Sequence, residues 1–359
     1  PKMVTTRALV VDDSTAYRRI IGQAMSDIPG VEVVGFAING REAIEFLKRN
    51  RVDIMTLDME MPLLDGLGTL AELRQLPTRP RVLMFSSLTR EGAQATLQAM
   101  ALGADDFLCK PNLSEVQASH IAPKEMLRGL LAPKLLQFFA PHPERLAAAG
   151  QAAGAAPAAP RQVADLSLFR ARAVVIASST GGPAALEGLL SKLPARPPVP
   201  MFIVQHMPPL FTASLSARLT QQCNVEAQEA THGLLAGPKV YIAPGDFHMR
   251  VILDGNKRAI MALSQEPKRN YVRPAADYLF ESAVQVYGRQ LLGVVLTGMG
   301  NDGCAGAGAV KRAGGAVIIQ DKKSCVVYGM PKAVEDAGTF DRQGTLADLA
   351  ALISHCTRL

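Results

Sequence analysis

The chain has 359 residues, 48% of them hydrophobic, so two folded domains are the natural expectation, and no stretch approaches the ~20 apolar residues of a membrane span. Its 38 Lys and Arg residues exceed its 32 Asp and Glu residues by only six, form no basic stripe and accompany no tryptophan, so a nucleic-acid partner is not expected. Its five cysteines are scattered without C-x-x-C spacing and no secretory signal is recognisable, which predicts a cytoplasmic protein without membrane insertion.

Short β-like segments alternate five times with helical patterns in the first third of the chain. The predicted strands are Ala8–Val11, Val31–Phe36, Ile54–Leu57, Val82–Phe85 and Asp106–Cys109. Helical periodicity lies between them, for example over Ala16–Met25 and Ala93–Leu102. This alternation predicts an α/β domain in which helices cover both faces of a parallel sheet.

Chemically distinctive side chains follow four of these strands. They are Asp12 and Asp13 after the first strand, Asp58 after the third, Ser86 after the fourth and Lys110 after the fifth. In an open parallel sheet, ligands bind outside the carboxyl ends of the strands. Three carboxylates there repel one another unless a cation joins them, and oxygen ligands suit Mg²⁺. Lys110 and Ser86 could then hold the oxygens of a phosphoryl group on Asp58.

A single aspartate after a strand is usually a helix cap or a solvated turn, but the full set resembles the receiver domain of two-component response regulators over residues 5 to about 125. The resemblance implies a flavodoxin-like fold with Asp58 as the phosphorylation site. It also implies that Mg²⁺ is held by Asp12, Asp13, Asp58 and the carbonyl of Glu60. Ser86 and Phe107 would form the switch pair beside Lys110.

Residues 140–160 have a different composition, since 16 of these 21 residues are Ala, Gly or Pro. Such a segment cannot bury enough apolar surface to offset the entropy of ordering it. We therefore predict a receiver domain over residues 1–125, a helix and flexible Ala/Pro-rich linker over 126–168, and a second domain over 169–359.

The second domain repeats the α/β pattern without repeating the motifs. Its predicted strands are Ala173–Ala177, Met201–Val204, Val240–Ile242, Leu292–Leu296 and Ala316–Ile319. The segments Met249–Leu253 and Arg258–Leu263 flank Asp254-Gly255-Asn256, which predicts a hairpin. We expect a second doubly wound, Rossmann-like parallel sheet.

Three candidate catalytic residues follow strands of this second sheet. Ser179 lies in a small-residue turn before a helix expected to begin near Pro183, while His206 and Asp302 end two other strands. Each has an ordinary alternative, such as an N-cap serine or a buried, hydrogen-bonded histidine. Together they match a nucleophile, a base and the acid that orients the base.

Residues 298–303 also fit the dinucleotide motif G-x-G-x-x-G, with Asp321 at about the distance of a ribose-binding acid. That interpretation is disfavoured because Asp302 would repel a pyrophosphate and because Ser179 and His206 would have no role. Dinucleotide motifs also follow the first strand of their domain, whereas this one comes late.

The motifs at 179–182, 205–208 and 296–303 resemble those of the chemotaxis protein-glutamate methylesterases. The resemblance implies that Ser179 is the nucleophile, His206 the general base and Asp302 its partner. It further implies that the backbone N–H groups of Thr180 and Met299 form the oxyanion hole. This chain has Ala177-Ser178 where the family usually has Gly-Ala, so position 178 stays open as an alternative nucleophile.

By this resemblance the chain is a phosphorylation-activated hydrolase of glutamate γ-methyl esters on the cytoplasmic domains of chemoreceptors. It would also deamidate receptor glutamines, take phosphate from a chemotaxis histidine kinase, act as a monomer and need no cofactor in the esterase domain. The unphosphorylated receiver would block the crevice. The rival interpretations are a receiver-coupled transcription regulator, which a DNA-binding assay tests, and a catalytically silent binding module, which a methanol-release assay tests.

Overall fold

The computed structural model describes residues 5–111, 121–139 and 165–358, and these form two compact units. The first unit contains the described residues up to 139, and the second contains those from 165 onward. The predicted linker, residues 140–160, lies outside the described residues. Within the described ranges, none of the helices combines the length and apolar character needed to cross a bilayer.

The first unit alternates strands and helices throughout. Its strands are β1 (Thr6–Val11), β2 (Val31–Ala37), β3 (Ile54–Asp58), β4 (Arg81–Ser86) and β5 (Asp106–Cys109). Its helices are α1 (Thr15–Ser26), α2 (Gly40–Arg49), α3 (Gly66–Leu73), α4 (Arg90–Ala101) and α5 (Pro123–Phe139). Each of α1 to α4 begins after a polar residue whose side chain accepts a backbone N–H of the first turn, namely Ser14, Asn39, Asp65 and Thr89.

The five strands form one parallel sheet in the order β2-β1-β3-β4-β5. This is the flavodoxin-like order, so the predicted fold of the first domain is confirmed. All five residues of β3 are buried, as expected for a central strand covered by helices on both faces. The carboxyl ends of β1, β3, β4 and β5 therefore meet at one edge of the sheet.

Helix α5 packs on α1 and completes the core of the first unit. Its buried residues Leu127, Leu131 and Leu135 recur at four-residue spacing and join the apolar cluster on one face of the sheet. The Lys134 ammonium also pairs with the buried carboxylate of Asp106. The boundary predicted at residue 125 falls inside this helix, so we propose that the first domain extends through Phe139.

The second unit is larger and contains nine strands. They are β6 (Ala173–Ser178), β7 (Met201–Gln205), β8 (Ala227–Glu229), β9 (Val240–Ile242), β10 (His248–Leu253), β11 (Ala259–Ser264), β12 (Leu291–Val295), β13 (Ala316–Gln320) and β14 (Arg342–Gly344). Its α-helices are α6 (Gly182–Leu190), α7 (Phe211–Cys223), α8 (Ala276–Tyr287), α9 (Cys304–Arg312), α10 (Met330–Asp336) and α11 (Leu346–Cys356).

Seven of these strands form a parallel sheet in the order β14-β13-β12-β6-β7-β9-β8. The predicted doubly wound α/β fold is therefore confirmed. The chain moves from β6 to β7 on one side and later returns to place β12 on the other side. The strand order thus reverses at β6, and ligands of such sheets bind beside the carboxyl ends at that point.

Two edge strands, β8 and β14, were not predicted, because a strand of three residues is too short to show a readable periodicity. The predicted hairpin is confirmed as the antiparallel pair β10–β11, which forms a separate two-stranded sheet. Its Met249, Val251 and Met261 side chains are buried in the same apolar core as Phe202 and Phe280. Burying a side chain of this size contributes about 1.5–3 kcal/mol to folding.

Candidate active site

The carboxyl ends of β12, β6 and β7 lie side by side at the point where the strand order reverses. Ser178 at the end of β6 pairs with Gln205 at the end of β7, and His206 N–H donates to the Ser178 carbonyl (3.1 Å). On the other side, Ser179 N–H donates to the Thr297 carbonyl (3.0 Å). Adjacent strand ends therefore bring the predicted serine and histidine to one edge of the sheet.

Ser179 is half-buried in the turn between β6 and α6. Gly182 N–H donates to the Ser179 carbonyl (2.7 Å), and α6 begins at Gly182 with Pro183 in its first turn, as predicted. The serine thus lies at the amino end of a helix, where backbone N–H groups and the helix dipole favour negative charge. This position suits a hydroxyl that becomes more nucleophilic as it loses its proton.

The neighbouring Ser178 has a different environment. It is fully buried, and its hydroxyl donates to the Gln205 Oε1 atom (2.7 Å). The Gln205 amide in turn donates to the carbonyls of Ser179 (3.0 Å) and His206 (3.3 Å). Ser178 therefore belongs to a buried hydrogen-bond network that stabilises the turn between β6 and α6.

His206 and Asp302 form a hydrogen-bonded pair, with 2.8 Å between Nε2 and Oδ2. The histidine side chain is 10% exposed and the aspartate side chain 2%. An ionised carboxylate only accepts hydrogen bonds, so in the neutral ring the proton resides on Nε2. Nδ1 is then the ring nitrogen that can act as a base.

Asp302 accepts four hydrogen bonds in all, the others coming from the Asn270 amide (2.9 Å) and from the backbone N–H groups of Ala276 (2.5 Å) and Asp277 (3.2 Å). The latter two belong to the first turn of α8, so the carboxylate also caps a helix. Burial alone would raise the pKa of Asp302, but the hydrogen bond and charge of His206 and these further donors hold it below its usual range. The acid is thus ionised and oriented.

Among the described residues, no hydrogen bond joins the Ser179 hydroxyl to the His206 ring. Nucleophile and base are often loosely aligned in unliganded enzymes and tighten only when substrate binds. Ser179 and His206 nevertheless follow neighbouring strands, because Ser178 of β6 pairs with Gln205 of β7.

The loop that carries Met299 lies directly against Ser179. A Cβ atom added at Gly298 would lie 2.8 Å from the Ser179 Cβ and 2.3 Å from the Met330 sulfur, so only glycine fits there. Gly300 has φ +86°, a conformation that favours glycine, but its Cβ would meet nothing within 4 Å. The two glycines of this loop are therefore required for different reasons. Gly298 lets the loop lie close to Ser179, whereas Gly300 permits a positive φ angle.

Alanine substitutions of Gly298 and Gly300 should therefore have different effects on activity. Gly298→Ala should push the loop away from Ser179 and lower kcat by about 10²-fold, the usual effect of a 1 Å misplacement of reacting groups. Gly300→Ala is the matched control, since it strains the same loop without a steric clash and should keep most of the activity. Steady-state hydrolysis by the two purified variants tests this, and equal losses in both would contradict it.

In the first unit, the carboxylates of Asp12, Asp13 and Asp58 converge, with one oxygen of each lying within 4.8 Å of the others. Over the described part of the chain, they are the one group of three potential metal-ligating side chains. Asp12 Oδ2 is buried and makes no hydrogen bond, although Lys110 Nζ lies 3.1 Å away. Clustered carboxylates with an unsatisfied oxygen fit a divalent cation such as Mg²⁺. Glu60 is exposed two residues beyond Asp58.

Lys110 contacts Asp58, and Ser86 ends β4, the strand that pairs with β3. The ammonium group lies 2.6 Å from Asp58 Oδ2. Burial raises the pKa of Asp58 above its usual range, although the hydrogen bond and charge of Lys110 lower it, and the charge of Asp12 raises it further. The buried Ser86 hydroxyl donates to the Gly92 carbonyl (3.1 Å) and accepts from Thr96 (2.7 Å), while Phe107 is 9% exposed.

Two residues that hold Asp302 lie outside the motifs recognised in the sequence. Asn270 and Asp277 were not predicted, and their only local signals are an asparagine in a tight turn and an acid in the first turn of a helix. Asp321, the proposed ribose acid of the rejected dinucleotide interpretation, accepts the Ser324 N–H (2.8 Å) in a local turn. The remaining described histidines, His232, His248 and His355, each bond to backbone atoms.

Comparison with known proteins identifies relatives of both units. A family model described as CheB methylesterase matches residues 174–353, and one for the response regulator receiver domain matches residues 8–120. A Desulfotalea psychrophila protein named protein-glutamate methylesterase/protein-glutamine glutaminase is 37% identical, over 99% of this chain and 100% of its own. A Nocardioides protein of the same name is 42% identical, over 96% of this chain and 93% of its own.

Among solved structures, the crystal structure of the Thermotoga maritima CheB methylesterase catalytic domain is similar to the second unit. It shares 43% sequence identity and superposes with a TM-score of 0.50. The match covers 52% of this chain and 98% of that domain.

Proposed function

Because this chain belongs to the CheB methylesterase family and carries a response regulator receiver domain, we propose that Ser179, His206 and Asp302 hydrolyse glutamate γ-methyl esters of chemoreceptors under phosphorylation control. The enzyme is a carboxylic ester hydrolase of chemotaxis, as the names of its full-length relatives indicate. The observation that carries the residue assignment is the 2.8 Å His206–Asp302 pair at the strand end beside Ser179.

In the proposed reaction, His206 Nδ1 takes the Ser179 proton while the serine oxygen attacks the ester carbonyl carbon. The tetrahedral intermediate collapses, and the leaving methoxide takes the proton from His206 and departs as methanol. The resulting acyl-enzyme is attacked by a water that gives a proton to the same nitrogen. The carbonyl then re-forms, Ser179 leaves with that proton, and the glutamate side chain loses the second proton of the water to solvent and is released as a carboxylate.

The negative charge of both tetrahedral intermediates needs hydrogen-bond donors. We propose the backbone N–H groups of Thr180 and Met299 for this role, since these residues follow the adjacent strands β6 and β12. Charge that develops at the amino end of α6 is further stabilised by the helix dipole. Asp302 remains ionised throughout and stabilises the imidazolium that forms at His206.

A glutamine side chain can follow the same route with ammonia as the leaving group. The full name shared by the relatives includes protein-glutamine glutaminase, which supports deamidation at this same site. An amide passes through a similar tetrahedral intermediate, so no additional residue is required.

The receiver domain supplies the control. We propose that Asp58 accepts a phosphoryl group from a chemotaxis histidine kinase, with Asp12, Asp13 and the Glu60 carbonyl holding Mg²⁺. The cation would neutralise the converging charges and bind a phosphoryl oxygen. Lys110, whose ammonium group lies 2.6 Å from Asp58 Oδ2, and Ser86 would contact the same group, with Phe107 as the second switch residue. We further propose that the enzyme is a monomer and acts in the cytoplasm, where the substrate helices of chemoreceptors lie.

The decisive experiment measures methanol release from methylated receptor membranes with and without acetyl phosphate and Mg²⁺. We expect phosphorylation to activate the protein about 5- to 150-fold, the usual range for coupling between two sites. Asp58→Asn should abolish this activation and keep the unstimulated rate. The matched control is Asp65→Asn, since asparagine can still cap α3 as Asp65 does.

Undiminished activation in Asp58→Asn would refute the phosphorylation site. Absence of methanol release from the wild-type protein in both conditions would favour the silent binding module. Specific DNA binding would favour the transcription regulator.

A further inference from the structure

A two-residue turn holds the carboxylate of the proposed triad acid from the side opposite His206. Arg269 and Val272 exchange backbone hydrogen bonds of 3.2 and 3.0 Å across Asn270 and Tyr271. Both central residues have positive φ angles, 53° and 65°. Asparagine tolerates this conformation better than most residues, whereas a bulky aromatic residue rarely adopts it.

The Asn270 side chain points inward and connects two buried acids. Its amide nitrogen lies 2.9 Å from Asp302 Oδ1 and 2.9 Å from Asp277 Oδ2. An amide nitrogen carries two hydrogens and so can donate to both carboxylates at once. The neighbouring Tyr271 side chain is 96% exposed, so only the first residue of the turn reaches the two acids.

Asp277 is itself held rigidly. Its Oδ1 atom accepts the backbone N–H groups of Gly303 (3.0 Å) and Gly306 (2.7 Å), which belong to the start of α9. Asp302 precedes α9 but caps α8, whereas Asp277 lies in the first turn of α8 but caps α9. Burial raises the pKa of Asp277, and the nearby charge of Asp302 raises it further. A shared neutral donor between the acids reduces the cost of placing them together.

We propose that Asn270 is a positioning residue for the hydrolytic reaction, holding Asp302 Oδ1 so that Oδ2 stays directed at His206 Nε2. This inference rests on the proposed function of the triad. Asp302 Oδ2 also accepts the Ala276 N–H, so a small rotation of the carboxylate would weaken the bond to His206 in favour of the helix. Asn270 opposes that rotation through an oxygen that the histidine does not use.

The chain offers a matched pair of variants. Asn270→Gly and Tyr271→Gly change adjacent residues of one turn, both with positive φ, so glycine relieves backbone strain in each. Only the first removes the amide between the acids. We expect Asn270→Gly to lower kcat about 10- to 100-fold, as for loss of a hydrogen bond to a charged group, with KM within about threefold. Tyr271→Gly should keep kcat within about twofold.

A second measurement does not depend on the substrate. The proton shared by His206 Nε2 and Asp302 should give a downfield imidazole resonance in the ¹H spectrum of the full-length protein. Asn270→Gly should broaden or shift this resonance, and Tyr271→Gly should leave it unchanged. Thermal unfolding of each variant shows whether the fold is retained.

Equal kcat values in the two variants, or a fall in kcat without any change in the resonance, would overturn the positioning role. If the wild-type protein releases no methanol, the proposed function fails, whereas the resonance still shows whether Asn270 holds the His206–Asp302 pair. The two failures are therefore distinguishable.

Discussion

Replacing Ser179 with alanine is expected to lower methanol release from methylated receptors by a factor on the order of 10⁶, the size of the effect when a serine nucleophile of a triad is removed. Ser179 is half-buried in this turn, whereas Ser178 and Thr180 on either side of it are buried. Without the Ser179 hydroxyl no acyl-enzyme can form. The residual rate would come from substrate binding and from the oxyanion donors acting on a direct attack by water.

Ser178→Ala is the matched control, because it removes a hydroxyl one residue away. The Ser178 hydroxyl is fully buried against Gln205, so its loss removes one neutral hydrogen bond, worth about 1 kcal/mol, and should reduce activity less than tenfold. Methanol release by both purified variants, normalised to folded protein by circular dichroism, provides the measurement. An active Ser179→Ala together with an inactive Ser178→Ala would move the nucleophile to position 178.

Replacing Asp302 with asparagine is expected to reduce kcat by about 10⁴-fold while the overall fold is kept, as observed for the acid of a serine–histidine–aspartate triad. The carboxylate accepts four hydrogen bonds here, and an asparagine side chain has only one oxygen. Its amide would face either His206 or the donors of α8. Facing His206 Nε2, the amide would force the ring proton onto Nδ1, which could then no longer accept the Ser179 proton.

The Asp302→Asn substitution also tests whether the carboxylate at position 302 is ionised, through its effect on the free energy of unfolding. The folded-state pKa of Asp302 is lowered, so the ionised carboxylate stabilises the fold above its unfolded pKa of about 3.9, and this stabilisation is lost as the pH falls through the lower folded pKa. The difference in unfolding free energy between wild type and Asp302→Asn should therefore be smaller at a pH below the folded-state pKa of Asp302 than at pH 7. Urea unfolding at both pH values measures it.

Asp321→Asn is the control for this series. Asp321 also follows a strand of the same sheet, but it accepts a single local backbone N–H, which asparagine can accept equally well. Its activity and its unfolding free energy at pH 7 should match those of the wild type. A stability difference for Asp302→Asn that stays constant with pH would contradict an ionised, stabilising carboxylate at position 302.

Much of the fold could be predicted because its main elements are locally encoded. Buried strands such as β6 and β12 consist almost entirely of apolar residues, and α6 begins where proline follows a small-residue turn. The edge strands β8 and β14 were missed because a strand of three residues is too short to show a periodicity of its own. Their strand character comes only from pairing with β9 and β13.

The candidate site was predictable to the extent that it lies at strand ends. In a parallel sheet all carboxyl ends share one edge, so a serine, a histidine and an aspartate that each follow a strand are brought near one another without further information. The same reasoning grouped Asp12, Asp13, Asp58 and Lys110 in the first unit. The types of these residues indicated the chemistry of each candidate site, and the order of strands and helices predicted where the residues lie in the fold.

The sequence by itself therefore determined the fold class, the family and the candidate site residues at the strand ends, because these depend on local periodicity and motif spacing. The tertiary structure decided that Ser178 is fully buried while Ser179 is half-buried, which histidine nitrogen bonds Asp302, and that Asn270 and Asp277 hold that acid. Each of these depends on side-chain contacts between segments that are distant in the chain, such as positions 206 and 302, and no local pattern records such contacts.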